Sequence, residues 1–262
     1  MFCLVELMPP RPPEEIKRRG LFRRKTVITP REPLFPQRVC IGGYPAFFIF
    51  RVPCDELLSE ETKAVFNAYR GRLIFQQCMN VPAELSEYVY VPSEYERVIL
   101  LKRAELILHD LFYGKDATSL LICDVRGRSL RASLPLVAFT KDVYVSTLSE
   151  DCFDAFSERA FSGYGAIVYR FRGEKGSEES FSALRSERDS GFSGSAVLDY
   201  NAALLKVTVP SRLGLRTDTY APPYPPLPDE LSEALPAGIS RELFICAMYD
   251  ICRFRFENGF FA

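Results

Sequence analysis

Ser119-Leu-Leu-Ile-Cys-Asp124, Asp142-Val-Tyr-Val-Ser-Thr147 and Gly165-Ala-Ile-Val-Tyr-Arg-Phe171 decide how this chain is read. Each is short, apolar and rich in β-branched or aromatic residues, as a buried strand requires. The residues between them carry helical spacing. After Val125-Arg-Gly-Arg-Ser129 a helical pattern runs to about residue 140, and Pro135 must start or bend it. Ser149 then stands as an N-cap for a helix burying Phe153, Phe156 and Ala160, and Gly163-Tyr-Gly165 ends that helix. Strand and helix alternating in this way predict parallel βαβ units.

Working outward, the clearest helix precedes these units. It spans residues 94–113, with Ser93 as N-cap, Gly114 as stop and a stripe of Leu100, Ala104, Ile107, Leu108 and Leu111. Downstream, residues 173–194 are rich in Ser, Gly and charge and read as a long loop around one short helix. Residues 195–200 and 204–209 read as further strands.

Upstream, residues 46–52 predict a strand, a helix follows from Asp55 or Ser59 to about Tyr69 and is stopped by Gly71, and residues 72–77 predict a second strand, together a small βαβ element. Residues 88–91 read as a short strand ended by Pro92. Residues 1–39 show no sustained periodicity and carry proline at 9, 10, 12, 13, 30, 33 and 36, which predicts an extended arm. Within that arm Lys17-Arg-Arg-Gly-Leu-Phe-Arg-Arg-Lys25 holds six cations in nine residues. Such a run is ordinarily a solvated segment; its functional reading is a phosphate or partner-binding patch.

At the other end, residues 210–236 are proline-rich around Pro222-Pro-Tyr-Pro-Pro-Leu-Pro228. The segment is expected to adopt polyproline II and strap the last helix onto the body, while its P-x-x-P spacing also suits an aromatic groove on a partner. The last helix, residues 241–252 after Ser240, is apolar over most of its circumference, and Arg253-Phe-Arg-Phe256 alternates like a terminal strand.

Composition excludes more than it selects. The formal net charge of -1 gives no global pull toward nucleic acid or an anionic membrane, although local patches remain open. Neither a signal peptide nor a membrane span is expected, because the apolar opening breaks at Glu6 and no apolar run approaches the required length. Eight cysteines without a C-x-x-C pair, beside a single histidine, cannot build the usual zinc spacings, and a reduced cytoplasmic setting is expected. No phosphate-loop, H-E-x-x-H, G-x-S-x-G or S-x-x-K signature occurs. His109 would have to serve any histidine-dependent mechanism, yet it falls on the polar stripe of its helix, four residues after Glu105.

The best candidate site is therefore the turn after the first central strand. There Asp124, Arg126, Gly127, Arg128 and Ser129 are expected at a strand's carboxyl end, with Ser146 and Thr147 at the next. Two arginine forks and a serine suit a carboxylate or phosphate. The competing reading has Asp124 capping the turn and both arginines solvated. A nicotinamide site is not expected, because the turn has one glycine, no G-x-G-x-x-G, and no acid closing the second strand.

The βαβαβ order resembles Rossmann-like sheets at the level of the fold, and a fold does not fix a function. The sequence thus predicts an α/β protein with a Rossmann-like, largely parallel sheet flanked by helices over residues 94–209. An N-terminal extended arm with a small α/β lobe occupies residues 1–93, and a proline strap with a C-terminal helix occupies residues 210–262. The leading functional expectation is binding of a small anionic metabolite or nucleotide at residues 124–129, 146 and 147. The alternatives are a transferase or oxidoreductase-like enzyme with a site between two lobes, and a non-catalytic scaffold that meets a protein partner through residues 17–25 or 222–228. The cofactor, if any, is unknown, and neither membrane nor nucleic acid is an expected partner.

Overall fold

The structure, a computed structural model, describes residues 1–10, 15–19, 24–28, 34–112, 118–140, 142–171 and 194–256, with backbone alone for 15–19 and 24–28. Of the loop expected at 173–194 only Gly194 is described, and it opens a strand; the stop expected at Gly114 falls outside the described residues. The chain divides into two compact units, residues 1–93 with 225–262, and residues 94–224.

The first unit contains β1 (Cys3–Met8), β2 (Glu15–Arg19), β3 (Arg24–Ile28), β4 (Gln37–Val39), β5 (Phe47–Pro53), α1 (Glu60–Ala68) and β6 (Leu73–Phe75). The second contains α2 (Tyr95–Phe112), β7 (Thr118–Cys123), a 3-10 helix (Arg131–Phe139), β8 (Asp142–Ser146), α3 (Glu150–Tyr164), β9 (Val168–Arg170), β10 (Gly194–Asp199), β11 (Leu204–Ser211) and β12 (Gly214–Tyr220). The chain then returns to the first unit with α4 (Asp229–Ala234) and α5 (Arg241–Asp250).

The first unit holds a four-stranded sheet in the order β4-β5-β1-β6, in which β1 is parallel to both β5 and β6. This corrects the expectation of an extended arm, because residues 3–8 are an inner strand. Phe2, Cys3, Leu4 and Val5 are all fully buried. A strand covered on both faces loses the alternation that would announce it. On one face Phe244 of α5 meets Phe2 and Phe47 edge-on, with ring centroids 5.5 and 5.1 Å apart. On the other, Phe66 of α1 meets Phe50 and Phe75 at 6.0 and 5.8 Å. The expected strand at 88–91 is instead a 3-10 helix, Ala83–Tyr88, followed by a single parallel bridge from Val89 to Leu73. Residues 253–256 form no strand; Arg253 takes a φ of 58° as the chain leaves α5.

The second unit is an α/β fold with a six-stranded, mostly parallel sheet in the order β12-β11-β10-β7-β8-β9. Strands β10, β7, β8 and β9 are parallel, while β11 and β12 turn back antiparallel. Numbered by appearance, the order is that of the Rossmann sheet, with hairpins replacing its final crossovers. Leu100, Ala104 and Leu108 of α2, Leu136 of the 3-10 helix, and Phe156 and Ala160 of α3 share one core with Leu120, Ile122, Val143, Val145, Ala196 and Leu198. The alternate residues Leu121 and Val197 belong to a smaller cluster with Cys123, Tyr144 and Phe171.

Strand β12 corrects the expectation that the proline segment begins at residue 210. Its polar alternation offers no apolar signal, and its place is set by pairing, including a 2.9 Å hydrogen bond between the hydroxyls of Thr208 and Thr217. Farther on, Tyr224 donates its hydroxyl to Glu96 at 2.6 Å, and Arg103 lies over the Tyr220 ring and donates to the Ala221 carbonyl. These contacts hold residues 220–224 along α2.

Candidate functional site

Parallel pairing brings three carboxyl ends to one rim. Cys123 stands opposite Ser146 on one side and opposite Asp199 on the other. The chain leaves β7 for β8 on one side, and β10 lies on the other, so the order reverses between β7 and β10. Open α/β sheets bind their ligands at such a reversal.

All seven residues expected at the site lie on this rim, but they do not act alike. Asp124 is fully buried, and its carboxyl faces inward, into its own turn. One oxygen accepts from the Arg126 N–H at 3.2 Å, the other from the Ser129 N–H at 2.6 Å. Its backbone carbonyl accepts from the Gly127 N–H at 3.0 Å. The Asp124 N–H donates to the Ser146 carbonyl at 3.0 Å, so Ser146 contributes backbone to the rim. Thr147 is buried, and its hydroxyl donates to the Val125 carbonyl at 3.3 Å and accepts from the Ser149 N–H at 3.2 Å.

Gly127 allows this turn to close. Its φ is 68°, in the left-handed region that favours glycine, and a Cβ placed there would stand 2.5 Å from Cys152 Cβ. Cys152 lies in the first turn of α3, whose N-cap Ser149 accepts from the Cys152 N–H. That helix start already carries Glu150 and Asp151, and Arg170 pairs with Glu150. An incoming anion would meet these acids at the helix end that ordinarily attracts anions.

Four residues missed from the sequence complete the rim. Asn201, just beyond β10, accepts the Val125 N–H on its side-chain oxygen at 3.1 Å, and the Tyr200 N–H donates to the Cys123 carbonyl at 2.9 Å. The Tyr200 hydroxyl lies 2.7 Å from that of Ser133, which also donates to the Ser129 carbonyl. Burial pushes the Tyr200 phenol well above the ordinary tyrosine range, so it is protonated at neutral pH. Arg131 opens the 3-10 helix. The signal that could have found Asn201 is positional, a polar residue just past the strand that pairs with β7 across the reversal. That pairing is absent from local sequence.

The charge left over is positive. Arg126, Arg128 and Arg131 are exposed, and none has an ion-pair partner among the described residues. Ser129 Oγ is buried in the same turn and has no hydrogen-bond partner among the described residues. The rim therefore offers arginine forks outside a turn whose Val125, Arg126, Gly127 and Ser129 amides are already engaged.

Other candidates stay away from the rim. His109 is exposed, 3.4 Å from Asp110 and edge-on to Phe139, while Lys102 pairs with Glu105. Among the described residues no group of three or more His, Cys, Asp or Glu is placed to hold a metal ion. No described helix is long and apolar enough to cross a membrane.

No family model and no curated protein matches the sequence. Among solved structures the chain is similar to the L-tryptophan dehydrogenase from Nostoc punctiforme, with 15% identity, a TM-score of 0.23 and 48% of this chain covered. The chain spans 39% of that enzyme's length, and at this likeness nothing of its chemistry carries over.

Proposed function

We propose that the second unit binds a small anionic ligand at its carboxyl rim without transforming it, and that the side chains of Arg126, Arg128 and Arg131 hold the anion. The observation that carries this reading is the combination of three exposed arginines, without an ion-pair partner among the described residues, with a turn closed on itself. A Rossmann turn holds a pyrophosphate by leaving its amides open at a helix start. Here the Arg126 and Ser129 amides are taken by Asp124, so a phosphate entering the turn would meet a carboxyl instead of N–H donors. The ligand is accordingly a carboxylate or phosphate bound on the outer side of the turn, where planar guanidinium forks give bidentate recognition.

A second reading, a non-catalytic scaffold on an inherited Rossmann-like sheet, draws support from the same closure, since an occupied turn is what a lost nucleotide site would leave. The enzyme reading gains nothing from the rim, where Asp124 is engaged and Tyr200 is buried and protonated.

A thermal-shift screen with phosphate, pyrophosphate, nucleotides and dicarboxylates separates these readings. A bound anion at a hundred times its dissociation constant stabilises by about 2.7 kcal/mol. Arg126→Ala with Arg128→Ala is expected to abolish that shift. A shift of unchanged size in the double variant removes the arginines from the site, and a screen with no responding anion favours the scaffold.

A further inference from the structure

We propose that β12, an open edge of the six-stranded sheet, pairs antiparallel with β12 of a second copy of this chain, joining the two sheets about a twofold axis at Thr217. Strand β12 ends the strand order, and no other described strand is ladder-bonded to its outer side. It runs for seven residues, whereas β9 at the opposite edge has three. Leu215, Arg216, Thr217 and Thr219 are exposed. An exposed edge of this length is a template for another strand.

The ladder inside the sheet fixes which backbone groups of β12 face outward. Thr208 stands opposite Thr217, and its carbonyl is directed at β10, 2.8 Å from where a Gly194 Cβ would stand. Thr208 therefore spends its backbone on β10, and Thr217 turns its own N–H and C=O away from β11. The two side chains are free to meet across this non-bonded pair, which they do, hydroxyl to hydroxyl at 2.9 Å. Leu215 and Thr219 share the parity of Thr217. Pro210, which lacks an N–H, accordingly falls opposite Leu215, where the ladder asks for no donor. The outer edge thus presents the backbone of Leu215, Thr217 and Thr219.

Charge then selects the register. Arg216 and Asp218 lie on one face of the strand and pair with each other, Nε to Oδ1 at 3.1 Å. An axis at Thr217 sets outward residues opposite outward residues along the whole strand. It also brings Arg216 opposite Asp218 of the second copy, and Asp218 opposite its Arg216. Moving the axis by one residue sets arginine against arginine or aspartate against aspartate, which is destabilising. Charges on an edge ordinarily repel a further strand; this pair is complementary to itself. A second copy of β12 is therefore the partner whose backbone and charges both fit.

The test is analytical ultracentrifugation of the full chain from about 1 μM to about 1 mM, because seven residues a side is short of a standard interface and implies weak association. A reversible monomer–dimer equilibrium is expected. Arg216→Asp and Asp218→Arg are each expected to weaken it about tenfold, since both symmetry-related pairs turn repulsive. Mixing the two variants is expected to restore association, because each then offers the charges the other lacks. That rescue acts only between copies, so an effect confined to the fold of one chain cannot produce it. Thermal denaturation of each variant reports whether the fold is kept. A monomer at every concentration overturns the proposal. So do single variants that dimerise as tightly as the unaltered chain, and a mixture of folded variants that associates no better than either alone.

Discussion

In the four-stranded sheet the loop after β6 is fastened by chain that returns from far away. Gln76 accepts the Leu7 N–H and donates to the Ala237 carbonyl, and the Gln77 N–H donates to the Gly238 carbonyl. In the six-stranded sheet the loop after β7 is fastened largely from within, by an aspartate five residues from its farthest partner, while Asn201 and Thr147 each add one bond at Val125. The difference teaches what each closure leaves over. A rim closed by distant chain is covered by that chain. A rim closed by its own first residue keeps its backbone occupied while the side chains between, Arg126 and Arg128, still reach solvent.

The largest expected effect lies in the first unit. Phe244→Ala removes the ring shared by Phe2 and Phe47 and is expected to cost about 3–5 kcal/mol in urea denaturation. It should leave any anion-induced shift at the other rim unchanged; loss of that shift would break the contrast between the two closures.

Two glycines with matching backbone angles sharpen the contrast. Gly71, with φ 67°, has nothing within 4 Å of an added Cβ, whereas Gly127, with φ 68°, would drive its Cβ into Cys152. Gly71→Ala carries the left-handed backbone cost alone, about 1–2 kcal/mol. Gly127→Ala adds overpacking, for a total of about 3 kcal/mol. Equal losses in chemical denaturation would mean that the turn does not press against α3.

Smaller changes probe the hydrogen bonds. Asp124→Asn sets an amide group against a backbone N–H and is expected to cost about 1–3 kcal/mol. Asn201→Ala strands the Val125 N–H for about 1 kcal/mol. If Asn201→Ala costs as much as Asp124→Asn, the closure is shared across strands instead of being local.

The smallest effect is a pH dependence present in both units. Burial pushes the Cys3 thiol up to about 12 from 9.0, and the Tyr200 phenol up from 10.0. Each folded group therefore keeps a proton that the unfolded chain releases. The stability each contributes is complete below its unfolded pKa and is lost as pH rises through the window above it. For Cys3 that window runs from 9.0 to about 12. Tyr200→Phe removes one contribution, and its denaturation midpoint should fall less steeply above pH 10 than that of the unaltered protein, by under about 1 kcal/mol at pH 10.5.

The parallel core of the second unit was legible because β7, β8 and β9 are each followed or preceded by a helix with its own caps, Ser149 and Gly165 among them. Strand β1 was not, because a run buried on both faces lacks period and is followed by prolines. The rim was legible as a place but not as a mechanism. Asp124 in a turn is equally consistent with a ligand contact and a cap, and only the distances to Arg126 and Ser129 distinguish them. Asn201 was invisible because its role depends on β10 lying beside β7, which no local pattern encodes.

The claim that everything else leans on is that the β7 turn is already organised when no ligand is present. Amide hydrogen exchange of the free protein tests it residue by residue. The Arg126 and Ser129 amides are expected to exchange slowly without added anion and to change little when one is supplied. Rapid exchange at both, becoming protected only on adding phosphate or pyrophosphate, would show an open turn that binds anions through its backbone and would contradict the account.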